Sequence, residues 1–191
     1  MQIPATALAP HGQQGFTLAE VLTTIGVLGL SLSLVVPSFD RVARSNLRAT
    51  AINELVATLH VARSEAITRN APVVICPSAN GTTCSPVAWE SGWIRFVDSN
   101  GDFRADADET ILGAAPALQG LHIRTEMFGQ AFGYGASGRV TDPDGGQSGG
   151  DFTFCLNGSG DDVQVVRVSP LGLPMLADRL ANGREPDCSL S

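Results

Sequence analysis

Residues 16–36, FTLAEVLTTIGVLGLSLSLVV, form an unbroken apolar run of 21 residues whose only charge is Glu20. Wound as an α-helix, a run of that length measures about 32 Å, close to the roughly 30 Å hydrocarbon thickness of a bilayer. A chain carrying it must bury the run in lipid or among helices of the same kind. The run also explains the composition, which is 43% hydrophobic and only 16% charged, against about 25% charged in an ordinary soluble domain. The remaining length suffices for one well-packed domain, which excludes both intrinsic disorder and a scaffold held only by disulfides.

The flanks of the run define its use. Before it stands MQIPATALAPHGQQG, which contains no Asp, Glu, Lys or Arg and ends on Gly15. A secretory signal carries its small cleavage-site residue after the apolar stretch; here the small residue comes first. Cleavage after Gly15 would leave Phe16 as the new amino terminus of a membrane helix. Glu20 then has a partner in the amino group so created, four residues away on the same helix face. Pro37 ends the apolar run, but apolar residues continue at three- and four-residue steps through Leu47, Ile52, Leu55, Leu59, Ala62 and Ala66. This spacing predicts one long helix from Phe16 to about Asn70, kinked at Pro37, with an apolar stripe on its second half. Arg41, Arg44 and Arg48 form a basic stripe just beyond the apolar run, suited to lipid headgroups, to an acidic neighbour or simply to solvent.

After Pro72 the period changes. Short β-like runs occupy 73–76, 93–97, 110–112, 121–125, 152–156 and 163–169, separated by Gly, Pro, Asn and Asp. A long helix packed on a mostly antiparallel sheet, an α+β fold, is the expected outcome. Residues 142–150, DPDGGQSGG, read as a surface loop. Gly133 to Gly138 match G-x-G-x-x-G, but RVTDPDGG follows and cannot open a helix, so a glycine-rich turn is expected instead of a dinucleotide site. His11, His60 and His122 sit beside no nucleophile pattern, and no catalytic constellation is visible.

The amino-terminal pattern, Gly15-Phe16-Thr17-Leu18 followed by Glu20 and an apolar helix with Pro37, resembles the class III signal of type IV pilins and type II secretion pseudopilins. A narrower resemblance, to the GspH/FimT group of minor pilins and pseudopilins, is carried by Cys76-Pro77-Ser78, Cys84 and WESGWIRFVDSNGD at 89–102. The resemblance implies the type IV pilin fold, with a leader at 1–15, a transmembrane helix at 16–39 and a periplasmic head at 40–191. It implies cleavage after Gly15 and N-methylation of Phe16 by a prepilin peptidase, and an assembly role for Glu20 and Pro37. The implied place is the bacterial inner membrane, single-pass, and then a pilus or pseudopilus. Major and minor pilins or pseudopilins, the inner-membrane assembly platform and the lipid bilayer are the implied partners. The group contains no enzyme activity to transfer.

Four further expectations concern the head. Cys76, Cys84, Cys155 and Cys188 allow three pairings; Cys76 with Cys84 and Cys155 with Cys188 is preferred, which favours a pilus subunit, and zinc ligation is disfavoured by the spacing. Asp98, Asn100, Asp102, Asp106 and Glu109 stand at positions 1, 3, 5, 9 and 12 of a calcium-loop template, although Phe103 replaces the glycine at position 6. The two readings of that loop are a weak Ca2+ site and an acidic turn whose carboxylates accept backbone hydrogen bonds. Some FimT-type minor pilins bind DNA through a basic Gly-Arg-x-Arg segment, but at the comparable place this chain has Pro170-Leu171-Gly172-Leu173-Pro174. Arg179 and Arg184 are the remaining candidates for DNA contact, diluted by Asp178, Glu185 and Asp187. All twelve basic residues are Arg, against 19 acids, and the net charge of -7 opposes binding to a polyanion.

Overall fold

The computed structural model describes residues 15–156 and 163–188, with only the helical backbone given for 33–41. The predicted leader, apart from Gly15, therefore lies outside the described residues. One helix, α1, spans Leu18–Arg69, close to the predicted bounds, and its backbone stays helical through Pro37. The chain divides into two compact units, 1–43 and 44–191.

In the first unit the helix presents its apolar side chains outward, with Phe16 and Leu18 about four-fifths exposed. Its hydroxyls are satisfied internally. Thr23 Oγ1 donates to the Glu20 carbonyl at 3.0 Å, Thr24 Oγ1 to Val21 at 2.8 Å and Ser31 Oγ to Val27 at 2.8 Å. Among the described residues no helix is long and apolar enough to cross a membrane. The apolar stretch with described side chains stops at Leu32, short of the roughly 20 residues a span requires, and the side chains of 33–39 in the predicted span lie outside the described residues.

The described residues of the second unit form nine strands: β1 (Val73–Pro77), β2 (Trp93–Val97), β3 (Ile111–Ala115), β4 (Leu121–Glu126), β5 (Phe132–Tyr134), β6 (Val140–Thr141), β7 (Gly150–Leu156), β8 (Val163–Val168) and β9 (Pro174–Ala177). They form two antiparallel sheets, one ordered β3-β2-β1-β5-β6 and the other β4-β7-β8-β9, where the sequence predicted a single sheet. Gly150, placed by sequence in the surface loop, opens β7. The sequence pattern does not mark β5, β6 and β9: β6 is only two residues long, and Gly133 interrupts β5 while Pro174 opens β9. Gly133 interrupts β5 for a reason: a Cβ there would lie 2.6 Å from the Val73 carbonyl oxygen of the paired strand. Gly135 to Gly138 make the expected turn, in which the Gly138 amide donates to the Gly135 carbonyl at 2.8 Å.

The predicted apolar stripe of α1 packs on the inner faces of both sheets. Ala51, Leu55, Leu59, Ala62 and Ala66 are fully buried, and they share one core with Val73, Ile75, Trp93, Phe152, Phe154 and Val166. Aromatic rings fill the space between the sheets: Phe128 stacks on Phe132 at 4.2 Å between centroids, and Trp89 meets Phe152 edge-on at 5.1 Å. Polar groups reaching this core are paired, as the alternative is costly. The Trp93 indole donates to Thr58 Oγ1 at 3.1 Å.

Tyr134 is an exception. It is fully buried beside Phe132 and Gly172, and its hydroxyl has no hydrogen-bond partner among the described residues. Burial pushes the phenol well above its usual range, and the positive charge of nearby Arg63 opposes that shift only in part. A phenol that binds its proton more tightly when folded contributes stability below the unfolded pKa of about 10 and loses it as pH rises further. Alkaline unfolding should therefore begin above about pH 10. Because Tyr134 is the only tyrosine, tyrosinate absorbance reads it alone. Tyr134→Phe removes the unpaired hydroxyl, so it should raise stability at neutral pH and remove part of the alkaline sensitivity, measured by denaturant unfolding across pH.

Candidate functional site

Four places in the chain carry the residues with the strongest sequence signals. The first is the start of α1. Thr17 caps it: the Glu20 amide donates to Thr17 Oγ1 at 3.3 Å and to the Thr17 carbonyl at 3.1 Å. Thr17-Leu18-Ala19-Glu20 is thus also a helix-starting sequence, with Thr at the N-cap and Glu three residues on. Glu20 is exposed in the first turn, where the positive end of the helix dipole favours an anion. The signal and the cap are one set of residues. Only one residue, Phe16, lies between the predicted cleavage point and the cap.

The second is the motif WESGW. Trp89–Ser91 form a short 3₁₀ turn ended by Gly92 at φ 107°, a backbone angle few other residues adopt. A Cβ at Gly92 would lie 2.7 Å from the Ala115 carbonyl. Glu90 ties this turn to the other sheet. Its Oε1 lies 2.8 Å from His122 Nδ1, its Oε2 accepts the Ile123 amide at 3.1 Å, and its carbonyl accepts the Leu118 amide at 2.7 Å. Sequence reasoning gave neither Glu90 nor His122 a role, because the pair is 32 residues apart.

The third is the acidic loop between β2 and β3. Asp98 is 1% exposed; its Oδ1 accepts the Gly101 amide at 2.8 Å and its Oδ2 the Phe103 amide at 3.2 Å. Asn100 Oδ1 accepts the Asp102 amide and Asp102 Oδ1 the Arg104 amide. Glu109 accepts the Ser99 amide at 2.7 Å and the Asp106 amide at 3.3 Å, and Asn100 donates to Asp106 at 3.0 Å. The loop brings all five template residues together, each engaged in a bond within the loop. Among the described residues no group of three or more acidic, His or Cys side chains is arranged to hold a metal ion. Phe103 takes φ 60°, a left-handed conformation costing on the order of 1–2 kcal/mol. Its ring packs against Val74, Cys76, Ile94, Phe96 and Ala131 on the outward face of the five-stranded sheet.

The fourth is the carboxy-terminal segment 178–188, which crosses the outward face of the four-stranded sheet. Both disulfides follow the preferred pairing, Cys76–Cys84 and Cys155–Cys188, and no cysteine is free. Besides Cys188, the segment is held by buried Asp151, which accepts the Ala181 amide and the Arg167 guanidinium, and by Arg124 donating to the Asp187 carbonyl. Arg179 pairs with Glu185 at 3.3 Å, its own carbonyl accepts from Arg167, and the Arg184 amide bonds Asn182. The two candidate DNA contacts thus belong to one strap, in which Arg179 has an acidic partner.

Comparison with known proteins gives three findings. A family model described as Type II transport protein GspH matches residues 51–172. The Pilin-like protein PilA1 of Thermus thermophilus is 32% identical over 140 residues, covering 70% of this chain and 78% of its own. The type IV minor pilin FimU of Pseudomonas aeruginosa has a similar fold, with a TM-score of 0.55 at 19% identity, covering 78% of this chain and 98% of FimU.

Two stability predictions follow from the loop and the strap. Asp98→Ala strands two backbone amides and should destabilise the protein by about 1–3 kcal/mol. Replacing Cys155 and Cys188 together by Ser should cost about 2–4 kcal/mol. Denaturant unfolding of the purified chain checks both.

Proposed function

The chain belongs to the GspH family, as a minor pilin or pseudopilin rather than an enzyme, and from that premise we propose that it is a minor subunit of a type IV pilus. The observation carrying this reading is the amino-terminal signal, Gly15-Phe16 with Glu20 on a helix capped at Thr17. A prepilin peptidase cleaves after Gly15 and methylates Phe16. The apolar run 16–36 then holds the subunit in the inner membrane until the assembly platform draws it into a filament or its initiating complex. Glu20 offers its carboxylate to the new amino terminus of a neighbouring subunit, an attraction strengthened by the low dielectric of the bilayer. The pilin-like relative and the pair of disulfides support a pilus over a secretion pseudopilus.

We read the acidic loop as a hydrogen-bonded turn rather than a Ca2+ centre, because its carboxylates are spent on backbone amides. Calorimetry with millimolar calcium should then record no binding heat. We likewise read Arg179 and Arg184 as strap residues, so a DNA mobility-shift titration at low salt should stay flat.

Processing and system are tested together. Gly15→Val should leave an uncleaved precursor retaining residues 1–15, seen by mass spectrometry of the amino terminus. Glu20→Ala should be cleaved normally but be lost from sheared filaments. Deletion of the gene should reduce piliation and leave type II secretion intact; loss of secretion with normal piliation would assign the subunit to the secretion system instead.

A further inference from the structure

An open groove of about 660 Å³ lies on the outward face of the five-stranded sheet, between the loop closed by Cys76–Cys84 and the loop joining β2 to β3. That volume falls within the range of about 300–1,000 Å³ typical of ligand clefts. Ala131, Phe103 and Ala105, buried or half-buried, give it an apolar floor, and exposed Asp102, Arg104 and Asp106 stand along one side. Pro143 lines the groove from a third loop, between Asp142 and Asp144. The segments 98–109 and 142–144 together hold seven of the chain's 19 acidic residues and only one of its twelve arginines, Arg104. Two of these acids, Asp102 and Asp106, line the groove together with Arg104, and the others belong to the flanking loops, so the surroundings of the groove carry an excess of negative charge.

The walls are fixed in advance. The disulfide pins Cys84. Asn80 Oδ1 accepts the Thr82 and Thr83 amides, each at 2.9 Å. Asp98 holds the opposite loop through the Gly101 and Phe103 amides, and Asp142 Oδ1 accepts the Asp144 and Gly146 amides at 3.0 and 2.8 Å. A preorganised cleft binds with little further loss of entropy.

We propose that this groove is the docking site for an arginine- or lysine-bearing segment of a neighbouring pilin-type subunit. The charge selects the occupant. Nucleic acid and anionic lipid headgroups are repelled by the acidic rim, whereas a basic segment is attracted to it and laid over apolar surface. A bare cation leaves most of so open a cleft unfilled. The inference rests on the reading of the chain as a filament subunit, and it adds which face of the head meets the neighbour and what that neighbour offers.

The test uses the full chain in the cells that assemble it, with a photo-crosslinking amino acid at exposed Gln130 in the groove and, for comparison, at exposed Leu176 on β9. The expected result is an adduct from Gln130 whose mapped attachment lies in an Arg- or Lys-bearing segment of another pilin-type subunit. Asp102→Asn with Asp106→Asn, which keeps the hydrogen-bond acceptors and removes the charge, should cut the yield several-fold, as should raised salt during crosslinking of isolated filaments. An unchanged yield in that variant, an attachment in a segment without basic residues, a lipid adduct, or an adduct from Leu176 alone overturns the proposal. No adduct from a filament fraction that contains the subunit overturns it as well. Absence of the subunit from every filament fraction overturns the filament reading itself, and the groove assignment falls with it.

Discussion

The head depends on one stripe of one helix. Ala51, Leu55, Leu59, Ala62 and Ala66 of α1 are fully buried, and both sheets turn their apolar faces to that line. Three of the five are alanine, so backbone can approach closely, while the bulk that fills the core comes from Trp89, Trp93, Phe128, Phe132, Phe152 and Phe154 on the sheet side. The two sheets also meet each other directly, through Phe132 on β5 and Phe152 on β7 at 5.7 Å between ring centroids, and Glu90, between β1 and β2, reaches across to His122 and Ile123 on β4.

Each sheet also has an outward face that is partly apolar, and the chain covers each by the same device: a loop or strap fastened by a disulfide. Over the five-stranded sheet, the Cys84 loop and Phe103 cover Val74, Ile94 and Phe96. Over the four-stranded sheet, residues 178–188 cover Asp151, Thr153, Cys155 and Val165, leaving β7 buried along its whole length. This explains why FTFCL reads as a continuous apolar run instead of an alternating one. It also explains why the second strap contains so many matched polar groups: it must satisfy a buried carboxylate as well as cover apolar surface.

The helix, its apolar stripe, the strand at 93–97, both disulfides and the α+β class were legible in the sequence, because each rests on periodicity or on cysteine spacing. The split into two sheets was not, since strand order is set by pairings such as Val73 with Tyr134 that lie far apart in the chain. β5 and β9 escaped notice because Gly133 and Pro174 weaken the local strand signal. In the acidic loop, spacing does not reveal that Asp98 turns inward to the Gly101 and Phe103 amides. Arg179 and Arg184 were visible as basic residues, but the pairing of Arg179 with Glu185 depends on the fold of the strap.

The two disulfides close on very different schedules. In a chain delivered from its amino end, Cys84 follows Cys76 by eight residues, so the first loop can lock as soon as β1 has emerged. Cys188 lies 33 residues beyond Cys155 and can pair only after β8, β9 and the strap have all followed. The outward face of the four-stranded sheet is therefore the last surface to be sealed, and until that moment Thr153, Val165 and the carboxylate of Asp151 stand open to solvent or to a chaperone. Completion of the covalent frame is thereby tied to oxidation late in the life of the new chain, which places a chemical clock between its delivery and the appearance of its finished surface.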